Sequence, residues 1–147
     1  MVRCGGDPKV AGREEAVIDA SIAVKWLSIE EGTEAALKLR EAHIVGTTSL
    51  SAPDLLLYEL SNAFRYKPGF DEKKVTQAIT DIVDLQIDLI TPSRELMDKT
   101  IEDAYLYGLT VYDSCYLALG ELMGIVVYTS DKKFYEKAKL SGILKLL

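Results

Sequence analysis

Ala16-Val17-Ile18-Asp19-Ala20-Ser21 is a short apolar run with β-branched residues that stops at a carboxylate and a hydroxyl. Runs of this kind read as strands. A second run, Ile125-Val126-Val127-Tyr128-Thr129, stops the same way at Ser130-Asp131. Asp19 and Asp131 then follow the carboxyl ends of two strands, where open parallel sheets bind their ligands. The chain between these runs has helical periodicity interrupted by two weaker strands. Strands alternating with helices predict an α/β fold, with a mainly parallel sheet covered on both faces.

Working outward, strand 1 spans residues 16–20, and Ser21 is expected to cap a short helix reaching Leu27. A helix follows over about 33–43, then a weak strand over about 48–52. Pro53 fits the first turn of a helix over about 54–66, whose buried stripe is Leu56, Leu60, Ala63 and Phe64. Pro68-Gly69 ends it. Val75, Ala78, Ile79, Ile82 and Val83 share one face of a helix over about 71–85. A third strand covers about 87–91. The helix over about 93–107 is expected to bury Met97, Ile101, Ala104 and Tyr105, with Gly108 as its C-cap. Thr110-x-x-Asp113 has the form of a capping box. The helix after it carries the stripe Val111, Cys115, Ala118, Leu119 and Leu122 and ends at Gly124. Asp131 begins a short helix to about 139, and 143–147 reads as a final edge strand.

Residues 1–15 contain Gly5-Gly6, Pro8 and Gly12 among mixed charges and read as a flexible tail, leaving 16–147 as one domain. A chain of 147 residues that is 48% hydrophobic and 27% charged reads as a soluble globular protein. No apolar run is long enough for a membrane span, and no signal sequence opens the chain. The two cysteines, Cys4 and Cys115, lie in the tail and on a helix, so a disulfide is not expected and a reducing cytoplasm fits. The net charge of −6 argues against a broad nucleic-acid-coating surface, although four of the acids belong to the candidate site. Lys25, Arg65, Lys67, Lys73, Lys74, Lys132 and Lys133 read mostly as solvated surface cations.

Those four acids are Asp19, Glu59, Asp113 and Asp131. Glu59 borders the apolar face of its helix, and Asp113 sits in a first helical turn, where the macrodipole favours an anion. No Arg or Lys lies inside the short motifs that carry them, residues 17–21, 58–62, 110–114 and 128–131. If the four converge, each pair at about 5 Å repels by roughly 3 kcal/mol at an effective dielectric near 20. A hard divalent cation, Mg²⁺ or Mn²⁺, is the usual remedy, and such sites suit phosphate esters. Taken singly, each acid also reads as a helix cap or a solvated carboxylate.

Four blocks in order carry a family resemblance. They are Val17-Ile18-Asp19-Ala20-Ser21-Ile22-Ala23-Val24-Lys25-Trp26-Leu27, Ala52-Pro53-Asp54-Leu55-Leu56-Leu57-Tyr58-Glu59-Leu60-Ser61-Asn62-Ala63, Leu109-Thr110-Val111-Tyr112-Asp113-Ser114-Cys115-Tyr116-Leu117-Ala118 and Tyr128-Thr129-Ser130-Asp131-Lys132-Lys133-Phe134. Across residues 16–147 the chain resembles PIN-domain nucleases, most closely the VapC-type toxins of VapBC toxin–antitoxin systems. Ser130 departs from the small apolar residue common there. The resemblance implies a three-layer α/β/α sandwich with a short, mainly parallel sheet. It implies Mg²⁺- or Mn²⁺-dependent hydrolysis of RNA, leaving a 3′-hydroxyl and a 5′-phosphate. Asp19, Glu59, Asp113 and Asp131 would be the metal-binding acids. Thr129 would fix the last acid or a water, with Ser21 and Asn62 supporting the site. A homodimer and an antitoxin partner are also implied, as is a cytoplasmic location.

A 2′-hydroxyl-dependent ribonuclease commonly needs a histidine pair, and His43 is the only histidine. A haloacid-dehalogenase-like phosphatase needs a second Asp two residues after the first, where Ser21 stands. A PIN-fold nuclease acting in RNA processing or on DNA, and a non-catalytic PIN-fold interaction module, remain as alternatives. Trp26 and most tyrosines read as packing or dimer contacts.

Overall fold

The computed structural model describes residues 12–28 and 33–147. Five strands form one sheet in the order β3-β2-β1-β4-β5, and every pairing is parallel. The strands are β1 (Glu14–Ile18), β2 (Thr48–Pro53), β3 (Asp88–Ile90), β4 (Val126–Thr129) and β5 (Leu144–Leu146). The helices are α1 (Ala20–Val24), α2 (Thr33–Val45), α3 (Leu55–Arg65), α4 (Glu72–Asp84), α5 (Arg94–Tyr107), α6 (Val111–Met123) and α7 (Lys132–Ala138). A 3-10 turn, Lys139–Ser141, leads into β5.

The expected α/β architecture is present, and the layers follow from the strand order. From β1 the chain steps outward to β2 and β3. It then crosses back over β1 to β4 and continues to β5. Right-handed crossovers put α2–α4 on one face and α5–α7 on the other. Ala16, Val17 and Ile18 of β1 are therefore buried from both sides. Helix α6 packs against β1, β2 and β4, and α5 packs on α6. Gly120 permits this closeness, because a Cβ there would collide with Val127 of β4.

Several boundaries move. β1 starts at Glu14, whose partner is Thr48, so the sheet extends ahead of the expected domain start. The rest of the tail, residues 1–11, lies outside the described residues. Pro53 is the last residue of β2 rather than part of α3, and Asp54 takes the N-cap position. The paired register of β1 and β2 ends at Val17 and Ser51, so Pro53 lies beyond the point where β1 needs an N–H from it. Ser21 does not cap α1. Asp19 does, accepting from the Ile22 N–H, and Ser21 sits inside the helix.

The buried face of α5 differs most from expectation. It consists of Leu96, Thr100, Asp103 and Ala104, whereas Ile101 and Tyr105 face solvent at 47% and 88% exposure. Polar groups fill this interface because they find partners. Thr100 donates to the Leu96 carbonyl at 2.7 Å, and Ser114 of α6 donates to the Thr100 carbonyl at 2.5 Å. On α6 the buried residues run continuously from Ser114 to Gly120, while Val111 and Leu122 are exposed. Val83 of α4 is also exposed. Gly108 and Gly124 take left-handed conformations as the C-caps of α5 and α6.

Cys115 is buried and free, and Cys4 lies outside the described residues. His43 serves the fold. Its Nδ1 accepts from the Leu50 N–H at 3.1 Å, so Nε2 carries the proton it donates to the Leu85 carbonyl at 2.7 Å. Trp26 is buried and donates to the Ala36 carbonyl. Four tyrosines, Tyr58, Tyr66, Tyr105 and Tyr112, are well exposed in the single chain. No helix among the described residues is long and apolar enough to cross a membrane.

Candidate active site

Strand order reverses direction around β1, which has β2 on one side and β4 on the other. Asp19 follows β1, and Thr129 is the last residue of β4. Their strands are held in register by the Ile18–Tyr128 pairing and by the Asp19 N–H bond to the Tyr128 carbonyl. The carboxyl ends of these two strands therefore flank the switch point, the place where open parallel sheets bind their ligands.

Asp19 is 4% exposed and is the most constrained of the acids. Its Oδ1 accepts from the Ser21 hydroxyl at 2.5 Å, and its Oδ2 accepts from the Thr129 hydroxyl at 2.5 Å. Ser21 Oγ in turn accepts from the Ser130 N–H at 2.8 Å, and Thr129 Oγ1 accepts from the Asp131 N–H at 3.0 Å. Two hydroxyls thus relay between the backbone after β4 and the carboxylate after β1. Thr129 holds the Asp131 backbone and the Asp19 carboxylate through one hydroxyl. Burial raises the Asp19 carboxyl to about 7; the hydroxyl and N–H donors oppose the rise and the Asp113 charge adds to it.

Asp113 stands in the first turn of α6. Thr110 supplies the cap, its hydroxyl accepting from the Asp113 N–H at 3.1 Å. The Asp113 carboxyl is raised by burial first, then by the charges of Asp131 and Glu59, while Lys137 of α7 opposes the shift. Asp113 is thus raised by two of the other acids, and its own charge raises the third, Asp19. Lys137 is a cation that motif reading overlooked; it also donates to the Gly108 carbonyl at 3.2 Å. Asp131 is the N-cap of α7 and accepts from the N–H groups of Lys133 and Phe134 through Oδ1. Glu59, half-buried on α3, accepts from the Tyr116 hydroxyl at 2.6 Å. Asn62 is exposed on α3, and no hydrogen bond ties it to the acids among the described residues.

Among the described residues, no group of three or more histidines, cysteines, aspartates or glutamates is placed to hold one metal ion. Asp19, Glu59 and Asp131 each accept from a donor of their own, and like charges at Asp113 favour separation. The donor set is all oxygen, and its mutual repulsion is the kind a hard divalent cation relieves.

Residues 16–140 match the family described as PIN domain. The chain belongs to the PIN-domain family. No curated protein matches it by sequence. Solved structures share its fold at low identity. A protein from Pyrobaculum aerophilum, PAE2754, is 20% identical with a TM-score of 0.65, over 95% of this chain and 90% of that one. A toxin–antitoxin complex from Klebsiella pneumoniae gives 17% and 0.62, over 82% and 89%. VapBC2 from Rickettsia felis, bound to a DNA fragment from its promoter, gives 16% and 0.61, over 90% and 98%.

Proposed function

We propose that this PIN domain is a Mg²⁺- or Mn²⁺-dependent endoribonuclease and the toxin of a toxin–antitoxin pair. The observation that carries the reading is the Asp19 carboxylate held by the Ser21 and Thr129 hydroxyls at the switch point of a PIN-domain sheet. Membership of the PIN-domain family, whose members are nucleases, supports the activity. The toxin–antitoxin complexes among the structural neighbours support the biological setting.

Asp19, Glu59, Asp113 and Asp131 would hold the cation, which supplies Lewis-acid polarisation of a phosphodiester and offsets the charge of the acids. The chain's own groups do the positioning. Ser21 and Thr129 fix both oxygens of Asp19. The first turn of α7 fixes one oxygen of Asp131. Lys137 offers a positive charge beside Asp113, suited to the RNA backbone. Asn62 would support the site from α3, one turn beyond Glu59. The RNA would be met in the cytoplasm, and an antitoxin would cover the acidic crevice.

Purified protein incubated with single-stranded RNA and with DNA of the same sequence tests the substrate class. Cleavage of RNA alone, lost in Asp19→Asn, is expected. Cleavage of DNA alone would favour the DNA-directed alternative, and cleavage of neither with Mg²⁺ or Mn²⁺ the interaction module.

A further inference from the structure

The reading above assigns Glu59 to the site but leaves unexplained what aims it. Glu59 projects from α3, whereas Asp113 lies on α6. One buried side chain links the two helices. Tyr116 is three residues beyond Asp113, on the same side of α6 one turn along. It is 1% exposed, and its hydroxyl donates to Glu59 Oε1 at 2.6 Å.

We propose that Tyr116 is a positioning residue of the acidic site, its hydroxyl setting the direction in which Glu59 presents its carboxylate beside Asp113. This inference rests on the metal-dependent reading and names a residue that reading does not use. Tyr116 is fitted to the task. A buried phenol needs a partner, and the one it has lies 57 residues away in sequence, on a different helix. A phenol ordinarily keeps its proton at neutral pH, so the hydroxyl is the donor and the Glu59 carboxylate the acceptor. It holds one lone pair of Oε1 and leaves Oε2 to other partners. The ring packs in the core that also contains Leu56, Leu60 and Leu117, so the hydroxyl has a rigid mount. An outer partner of a ligating carboxylate typically changes metal affinity by about 10- to 100-fold.

The alternative is that Tyr116 only fills the core and Glu59 only satisfies its hydroxyl. Tyr116→Phe separates the two, because it keeps the ring and removes the bond. Mn²⁺ binding is measured by calorimetry on wild-type protein, Tyr116→Phe, Glu59→Gln and the double variant, beside a melt of each without metal. The expected result is a dissociation constant for Mn²⁺ raised about tenfold or more in Tyr116→Phe. The metal needed for half-maximal cleavage should rise in parallel. Adding Tyr116→Phe to Glu59→Gln should change binding by less than about twofold, since the residue acts through Glu59. Wild-type protein that binds Mn²⁺ with Tyr116→Phe binding equally or more tightly would overturn the positioning role alone. An additional tenfold loss on the Glu59→Gln background would overturn it too, and this comparison stands even if the single Phe variant folds poorly. Wild-type protein that binds no Mn²⁺ would overturn the metal-dependent reading itself.

Discussion

Asp113 concentrates the cost of the arrangement. Burial and the charges of Asp131 and Glu59 all disfavour its ionised form. Its backbone N–H, not its carboxylate, makes the capping bond to Thr110. Asp113→Asn should therefore keep the cap while removing repulsion of up to roughly 3 kcal/mol per close neighbour before screening. The loss of the dipole interaction, about 0.5–1 kcal/mol, is smaller. Without metal the variant should melt at or above the wild-type temperature, yet cleave RNA poorly. A lower melting temperature with near-normal cleavage would mean that Asp113 only stabilises its helix. Thr129 should behave oppositely. Thr129→Val leaves Asp19 Oδ2 without its buried donor and the Asp131 N–H without its acceptor. A loss of about 1–3 kcal/mol is expected from denaturant melts without metal, together with reduced cleavage. Unchanged stability would show that water replaces the hydroxyl.

The packing of α5 on α6 shows which elements the sequence discloses and which it hides. β1 and β4 were legible because β-branched runs bounded by acids admit few other readings. The buried stripe of α5 was not, because Asp103 reads as a solvent residue. Its side chain is fully buried, with Lys99 at 3.4 Å on the same helix and Lys99 also at 3.6 Å from Glu121 of α6. Only the folded pairing reveals that ion cluster. Tyr116 escaped for the same reason: its ring reads as core, and its hydroxyl finds Glu59 only across the fold. Asp19, Ser21 and Thr129, by contrast, meet because two legible strands are neighbours.

The α5–α6 cluster also sets a pH dependence. Glu121 is raised from the usual 4.5 to about 7, by burial first and then by Asp103, against the pull of Lys99. A carboxyl that holds its proton more tightly when folded favours folding at low pH. That contribution is fully present below about 4.5 and is lost as pH rises through 7. Melts of the wild type and Glu121→Gln from pH 4 to 8 should show the variant losing less stability over that rise. Parallel curves would mean that Glu121 titrates normally. Gly120, one residue earlier, supplies a separate test of the α6–β4 contact. Gly120→Ala forces a methyl group onto Val127 and should cost about 1–3 kcal/mol despite the helix-favouring change.

At the scale of the whole molecule, the order of five parallel strands brings residues from α1, α3, α6 and the turn into α7 to one end of the sheet. The same wrapping leaves apolar surface elsewhere. Ile44 and Val45 at the end of α2, and Val83 near the end of α4, are exposed by half or more. The His43–Leu85 bond ties these two helix ends together. Pairing of these helix ends with a second copy would build the homodimer that the family resemblance implies. Light scattering at micromolar concentration should give the mass of a dimer, and Val45→Asp should shift it toward a monomer. A monomer for the wild type would remove this proposal without touching the acidic site.

The site itself is tested most directly by one cleavage experiment. A labelled RNA is incubated with carefully purified protein across a Mg²⁺ series and in EDTA, and the product ends are identified. The expected result is no cleavage in EDTA, cleavage that saturates with Mg²⁺, and products ending in 3′-hydroxyl and 5′-phosphate. Equal cleavage in EDTA, with cyclic phosphate ends, would contradict a metal-dependent centre built on Asp19, Glu59, Asp113 and Asp131.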